Sequence, residues 1–399
     1  MTETIQQTAR ELFPQIQQFR EHIHSHPELS FEEKETAAFI SGKLSEWGIS
    51  FTSGWAGTGI VAIVEGKNSG KTCTAVRAEL DALPILEENT TAYASQNKGV
   101  MHACGHDVHM ACLLGVAHIL QLHREAWEGT AKLIFQPGEE KHPGGGSLLL
   151  QEGVLQNPQV DRILALHVYP TLPAGTVGFR SGKYMASTDE IHITIHGKGG
   201  HAALPHQTID PVTIAAYTLV NLQQLVSRRS NPVVPCVLSF GKISGGTVNN
   251  VIPDTVTLSG TLRTMDESWR AEAHRLIAEV VHSTCNAWGA RAEIEIPKGY
   301  PSLYNDPALT DAARALAKDF LGAEKVRELD LRMTADDFAF YSHEVPGCYF
   351  RLGTASADGA KYNSSVHTST FDIEAAALET GMGLMSWLVM QLNESASQA

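Results

Sequence analysis

Residues 101–109 read Met-His-Ala-Cys-Gly-His-Asp-Val-His, with Cys104 and His106 on either side of Gly105. A glycine between them lets a thiolate and an imidazole face the same side of a loop, and both groups bind divalent transition metals. Taken alone, a Cys-x-His pair is better explained by a buried thiol beside helix-capping polar groups. Three further features change that balance. Gln136-Pro137-Gly138-Glu139-Glu140 closes an apolar run, so a tight turn holds two adjacent carboxylates. Such a pair is costly to bury without a cation. It suits a division of labour in which one carboxylate binds metal and the other takes a proton from a metal-activated water. His167 ends the apolar run RILALH, and His367 lies between a Gly-Thr loop and the last helical stretch. Each histidine by itself would pass as a hydrogen-bonded structural residue. Several ligand-type groups at the ends of several strands point to a metal centre.

The elements that must position these groups follow from periodicity. Residues 1–48 read as helices, with apolar residues at three- and four-residue steps over 32–48 and Gly48 as a stop. Runs 59–65, 72–80 and 129–136 are strands, and 110–123 is a helix. Nearly continuous apolar strands alternating with helices argue for a mostly parallel sheet covered on both faces, whose sites lie at the carboxyl ends of the strands. From about residue 184 the rhythm changes. Strand 189–196, helix 210–229, strands 235–243 and 253–264, helix 267–288 and strand 290–296 give β-α-β-β-α-β, the ferredoxin-like motif, in about 110 residues. The α/β pattern then returns with helix 306–321, strand 347–352 and helix 373–393. The predicted organisation is a catalytic domain, 1–183 and 299–399, interrupted by a small α+β domain, 184–298. The tail 394–399 is expected to fray.

The chain has 399 residues, 43% of them hydrophobic and 19% charged, as expected of a globular protein with a sizeable core. With 30 Lys and Arg against 44 Asp and Glu, its net charge of −14 offers no phosphate-neutralising surface, so a nucleic-acid partner is not expected. There is neither a basic, apolar leader nor a run of roughly 18 apolar residues, so a cytoplasmic protein without a membrane partner is expected. The 6 cysteines include no Cys-x-x-Cys and argue against a disulfide framework, whereas 18 histidines direct attention to metals and proton transfer.

The motifs RAELDALP (77–84), MHACGHDVH, QPGEE, GKGGHAALPH (197–206), NVIPD (250–254) and TADDFAFY (334–341), followed by His367, resemble the N-acyl-amino-acid amidohydrolases. That family includes hippurate hydrolase, the indole-3-acetyl-amino-acid hydrolases and N-acetyl-diaminopimelate deacetylase, relatives of the dinuclear zinc carboxypeptidases. The resemblance implies a zinc-peptidase-like catalytic domain with a ferredoxin-like lid or dimerisation domain, two divalent metal ions per subunit and a homodimer through the lid. It assigns Cys104, His106, Glu140, His167 and His367 as metal ligands, Glu139 as general base, and Asp81 as the residue that orients a ligating imidazole. From the small domain it implies that His201 polarises the scissile carbonyl, often in a neighbouring subunit, while Asn250 and Arg263 hold the substrate carboxylate. An imidazole N–H can stabilise an oxyanion and a guanidinium can fork onto a carboxylate. Where the family usually reads Arg-Ala-Asp-Met-Asp, this chain has Glu79 and Leu80, which adds a methylene near the site without touching an expected ligand.

The expected reaction is hydrolysis of an amide joining an acyl group to an amino acid or similar small amine. The ligand types admit Zn, Mn, Co or Ni. A dipeptidase or carboxypeptidase on the same two metals, and a catalytically silent ligand-binding relative, are the rival readings. A thiol hydrolase using Cys104 with His106 fails, because residues so close leave no oriented base and third partner.

Overall fold

The computed structural model of the chain describes residues 1–397, which divide into two compact units. The larger comprises Met1–Gly182, Tyr304–Asp330 and Asp337 onward, and the smaller comprises Lys183–Leu303 with Leu331–Asp336. The return of residues 331–336 to the smaller unit has no signature in periodicity.

The larger unit is built on a sheet of eight strands in the order Ser50–Trp55, Gly59–Glu65, Thr130–Gln136, Cys73–Glu79, Arg162–Pro173, Gly347–Ala355, Val177–Phe179 and Val326–Glu328. The four central strands are mutually parallel. The Gly59–Glu65 strand joins them antiparallel, as does Val177–Phe179. Burial explains the central runs: every residue of Cys73–Glu79, Thr130–Gln136 and Gly347–Ala355 is buried, as a sheet covered on both faces requires. The Ser50–Trp55 edge strand is polar and largely exposed, and its sequence, SFTSGW, carries no period-two signal.

Helix His106–Leu122 is buried nearly all round, consistent with its apolar sequence, and packs against helices Thr2–Ser25 and Ala377–Ser397. The last helix begins four residues later than the predicted 373. Phe371 and Ile373 are already buried in the approach, where Glu374 N–H bonds the Thr354 carbonyl. It also runs to Ser397 through the tail expected to fray, whose last two residues lie outside the described residues.

The smaller unit has four antiparallel strands in the order Cys236–Ser244, Thr255–Thr264, Asp189–His196, Arg291–Glu295, the ferredoxin-like arrangement. Helices Pro211–Gln224 and Glu267–Ala287 pack on it, with Ile191, Ile193, Ile214, Leu258 and Ile277 in a core of their own. Cys236–Ser244 is an edge strand with Val237 and Ile243 exposed, and Tyr217 and Val220 are exposed on helix Pro211–Gln224. Among the described residues, no helix is long and apolar enough to cross a membrane.

Candidate metal centre and active site

The parallel strands bring the ligand-type residues to one end of the large sheet. Asp81 follows the Cys73–Glu79 strand, and Glu139 and Glu140 follow Thr130–Gln136. His167 sits in Arg162–Pro173 just past Ala165, the last residue of that strand paired with Cys73–Glu79. Cys104 and His106 flank the start of helix His106–Leu122, where Gly105 has φ +83°. A Cβ there would stand 2.5 Å from Val168 Cγ2, so both the left-handed backbone and the packing call for glycine. His367 also has positive φ, and its N–H donates to the Ala103 carbonyl at 2.7 Å, fastening its loop to the Cys104 segment.

The donor atoms converge. Cys104 Sγ lies 3.5 Å from His167 Nε2 and 3.3 Å from His367 Nε2, and His367 Nε2 is 3.1 Å from Glu140 Oε1. His106 Nε2 is 4.0 Å from Glu139 Oε2. Ligand atoms lie within 4.8 Å of one another in the sets Cys104–His106–His167, Cys104–Glu140–His367 and His106–Glu139–Glu140. The first two sets share Cys104 Sγ, so one thiolate can serve two cations. All six cysteines are free, and the sulfur of Cys104 meets two imidazoles.

The side chains are disposed as metal ligands require. His106 Nδ1 is 2.8 Å from the Asp81 carbonyl and 3.3 Å from Asp81 Oδ1, leaving Nε2 buried without a hydrogen-bond partner. Glu140 Oε1 is likewise buried, and it faces the His367 ring. His167 Nδ1 bonds the Val168 carbonyl at 2.9 Å, which turns Nε2 towards Cys104. Burial, followed by the Arg351 charge, holds the His167 ring well below the usual imidazole range, so its lone pair is available. Burial disfavours charge on His106 too, but Glu79, Asp81 and Glu140 outweigh it and push its pKa up to about 10. Burial and then Glu140, Glu139 and Glu79 raise the Cys104 thiol well above its ordinary value. The site therefore carries an excess of acid that protons fill in the absence of cations, and the residues fit two divalent ions.

Several supporting residues were not marked by the motif reading. Asp81 Oδ2 accepts from the Ser30 hydroxyl at 2.6 Å and from Glu140 N–H at 2.9 Å, so one carboxylate links the His106 ring to the acidic turn. The buried Glu33 accepts Gly138 N–H at 2.9 Å and the Thr58 hydroxyl at 2.6 Å, pinning that turn from below. Asp107, beside His106, accepts from Arg20 Nε and His24 Nδ1, each at 2.7 Å, and Arg20 also reaches Asp372. The signal for Ser30 and Glu33 lies in PELSFEE, about fifty residues before Asp81, where only the fold relates them.

Within the smaller unit, a short antiparallel ladder pairs Val251 with His201, and Ala202 N–H bonds the Asn250 carbonyl, bringing His201 and Asn250 together. Ala203 N–H donates to His201 Nδ1 at 3.1 Å, so the neutral ring carries its proton on Nε2, ready to donate. Arg263 is not with them. It is one residue from the far end of strand Thr255–Thr264, about 26 Å of extended chain from Thr255. Thr255 pairs with His196, at the end that leads to His201.

A profile of Peptidase family M20/M25/M40 matches residues 75–391. The chain is 39% identical over 361 residues to an N-acetyl-L-cysteine deacetylase of Bacillus subtilis, covering 90% of this chain and 83% of that protein. It is 35% identical over 385 residues to thermostable carboxypeptidase 1 of Saccharolobus solfataricus, covering 96% of each chain. The crystal structure of the Bacillus subtilis YXEP protein, described as a dinuclear metal-binding peptidase from the M20 family, superposes with a TM-score of 0.82 at 32% identity, covering 96% of this chain and 99% of that one.

Proposed function

This chain belongs to Peptidase family M20/M25/M40, and we propose that within it the protein is an N-acyl-amino-acid amidohydrolase working with two divalent cations. It is a metal-dependent amidohydrolase; the N-acyl amino acid substrate is the finer reading. The observation that carries this reading is the pair of ligand triads sharing Cys104 Sγ beside the buried Glu139 carboxylate.

In this reading Cys104, His106 and His167 hold one cation, and Cys104, Glu140 and His367 the other. The thiolate suits Zn, Co or Ni, while the carboxylate and imidazoles also admit Mn. Bound cations supply Lewis acidity that polarises a carbonyl and lowers the pKa of water. Asp81 fixes the His106 ring through its Nδ1 edge. Glu139 takes a proton from the attacking water and returns it to the departing nitrogen, which would otherwise leave as an unfavourable amide anion. His201 donates its Nε2–H to the developing oxyanion, and Asn250 and Arg263 bind the substrate carboxylate.

His201 and Asn250 lie towards one end of the lid sheet and Arg263 towards the other, so a single lid does not offer all three to one small substrate. This supports a homodimer in which His201 and Asn250 of one copy complete the centre of the other. The Cys236–Ser244 edge, with exposed Val237 and Ile243 and the neighbouring Tyr217 and Val220, is the pairing surface we assign. The deacetylase relative supports an N-acyl amino acid substrate, and the carboxypeptidase relative favours peptides as the second reading. Turnover of N-acetyl and N-benzoyl amino acids against dipeptides separates the two. Glu139→Gln is expected to retain both metals and lose about 10²–10⁴ in turnover; near-normal turnover would remove Glu139 as the base.

A further inference from the structure

Glu79, His106 and His109 form another group of ligand-type atoms within 4.8 Å, adjoining the two triads. His109 stands on the first turn of helix His106–Leu122 and is buried. Its Nε2 lies 3.0 Å from Val168 N, and a backbone N–H can only donate, so Nε2 is the acceptor. The neutral ring then carries its proton on Nδ1, which donates to Glu79 Oε2 at 2.7 Å. Both nitrogens are committed, and His109 has no lone pair to offer a cation.

The value of this arrangement lies in what Val168 does. The Cys73–Glu79 strand pairs with Arg162–Pro173 only as far as Ala165, so beyond that point a backbone N–H on that side has no strand to meet. The His109 imidazole takes the place of the missing neighbour. The carbonyl of the same residue accepts from His167 Nδ1 at 2.9 Å, and that bond directs His167 Nε2 to Cys104 Sγ. Glu79 is itself immobilised: Arg77 pairs with its Oε1, and Arg77 Nε is held by Gln136 Oε1 at 3.0 Å. A continuous chain therefore runs from Arg77 through Glu79, His109 and the Val168 backbone to His167.

We propose that Glu79 and His109 are positioning residues for His167, fixing the Val168 backbone so that the His167 ring presents Nε2 to the cation. The inference rests on reading His167 as a metal ligand. It predicts an asymmetry, because His167 belongs to the Cys104–His106–His167 set and not to Cys104–Glu140–His367.

Two substitutions of similar polarity separate positioning from packing. In His109→Gln the side-chain oxygen reaches the place of Nε2 and can still accept Val168 N–H. In His109→Asn the amide mimics the Nδ1 edge, keeping the Glu79 contact and leaving Val168 N–H unpaired. The experiment is titration of the metal-free full-length proteins with Zn²⁺ in competition with a chromophoric chelator, with wild type alongside. His109→Asn is expected to weaken one of two bound ions about 10- to 100-fold, as loss of a ligand-orienting partner does elsewhere, and to leave the other nearly unchanged. His109→Gln should bind both ions nearly as wild type does. Equal affinities in the Asn variant and wild type, or equal weakening of both ions in both variants, would overturn the positioning role. Failure of wild type itself to take up two ions would instead overturn the metal centre, and this inference with it.

Discussion

Gly105→Ala tests the local structure that sets the site, and its cost can be worked from two separate penalties. At φ +83° an L-residue pays about 1–2 kcal/mol for the left-handed conformation. The added Cβ would meet Val168 Cγ2 at 2.5 Å, Val168 Cγ1 at 3.1 Å and Phe371 Cζ at 3.2 Å. Val168 and Phe371 are both buried, so neither gives way freely, and overpacking of this kind costs about 1–3 kcal/mol. The sum is about 2–5 kcal/mol. Gly48→Ala is the control, since Gly48 has φ +65° with nothing within 4 Å of its would-be Cβ and carries the backbone penalty alone. Urea unfolding of the metal-free proteins, followed by far-ultraviolet circular dichroism, compares them. Because Val168 adjoins His167, the Gly105 variant should also bind metal more weakly, whereas the Gly48 variant should not. Equal destabilisation by the two substitutions, with metal affinity intact in both, would refute the reasoning.

If His201 serves the centre of a second copy, mixing and reassociating inactive His201→Ala and Glu139→Gln proteins should restore about a quarter of wild-type activity, since half the dimers are mixed and each has one intact site; no recovery would return His201 to its own subunit. Acidification should release metal. The carboxylates hold His106 protonated up to about pH 10, and burial with the same acids keeps the Cys104 thiol protonated, so a cation must displace both protons. Affinity then rises with pH, by up to about 100-fold per unit between pH 6 and 8. Chelator competition across that range checks this, and a flat profile would contradict it.

The cluster of ligand-type residues was legible because its members are chemically distinctive and lie where strands or helices begin or end: the structure gathers Cys104, His106, Glu140, His167 and His367 from four chain segments. The ferredoxin-like order was legible because strand and helix periods alternate cleanly over 189–296. The Ser50–Trp55 strand escaped because an exposed edge needs no alternating apolar residues. Ser30, Glu33 and His109 escaped for a different reason. They act through backbone groups and carboxylates distant in sequence, and a buried Ser, Glu or His has no pattern of its own to announce such a partner. The opposite placement of Arg263 and His201 depends on strand register, which motif spacing does not carry.

The central claim is a two-metal hydrolytic centre built on Cys104, and elemental analysis joined to activity tests it most directly. Protein purified without chelator should contain about two divalent ions per chain, as two complete triads require. Its hydrolysis of N-acetyl amino acids should vanish on chelation and return when metal is restored. Activity that survives complete removal of metal, or metal-supplied protein that binds none, would contradict the account.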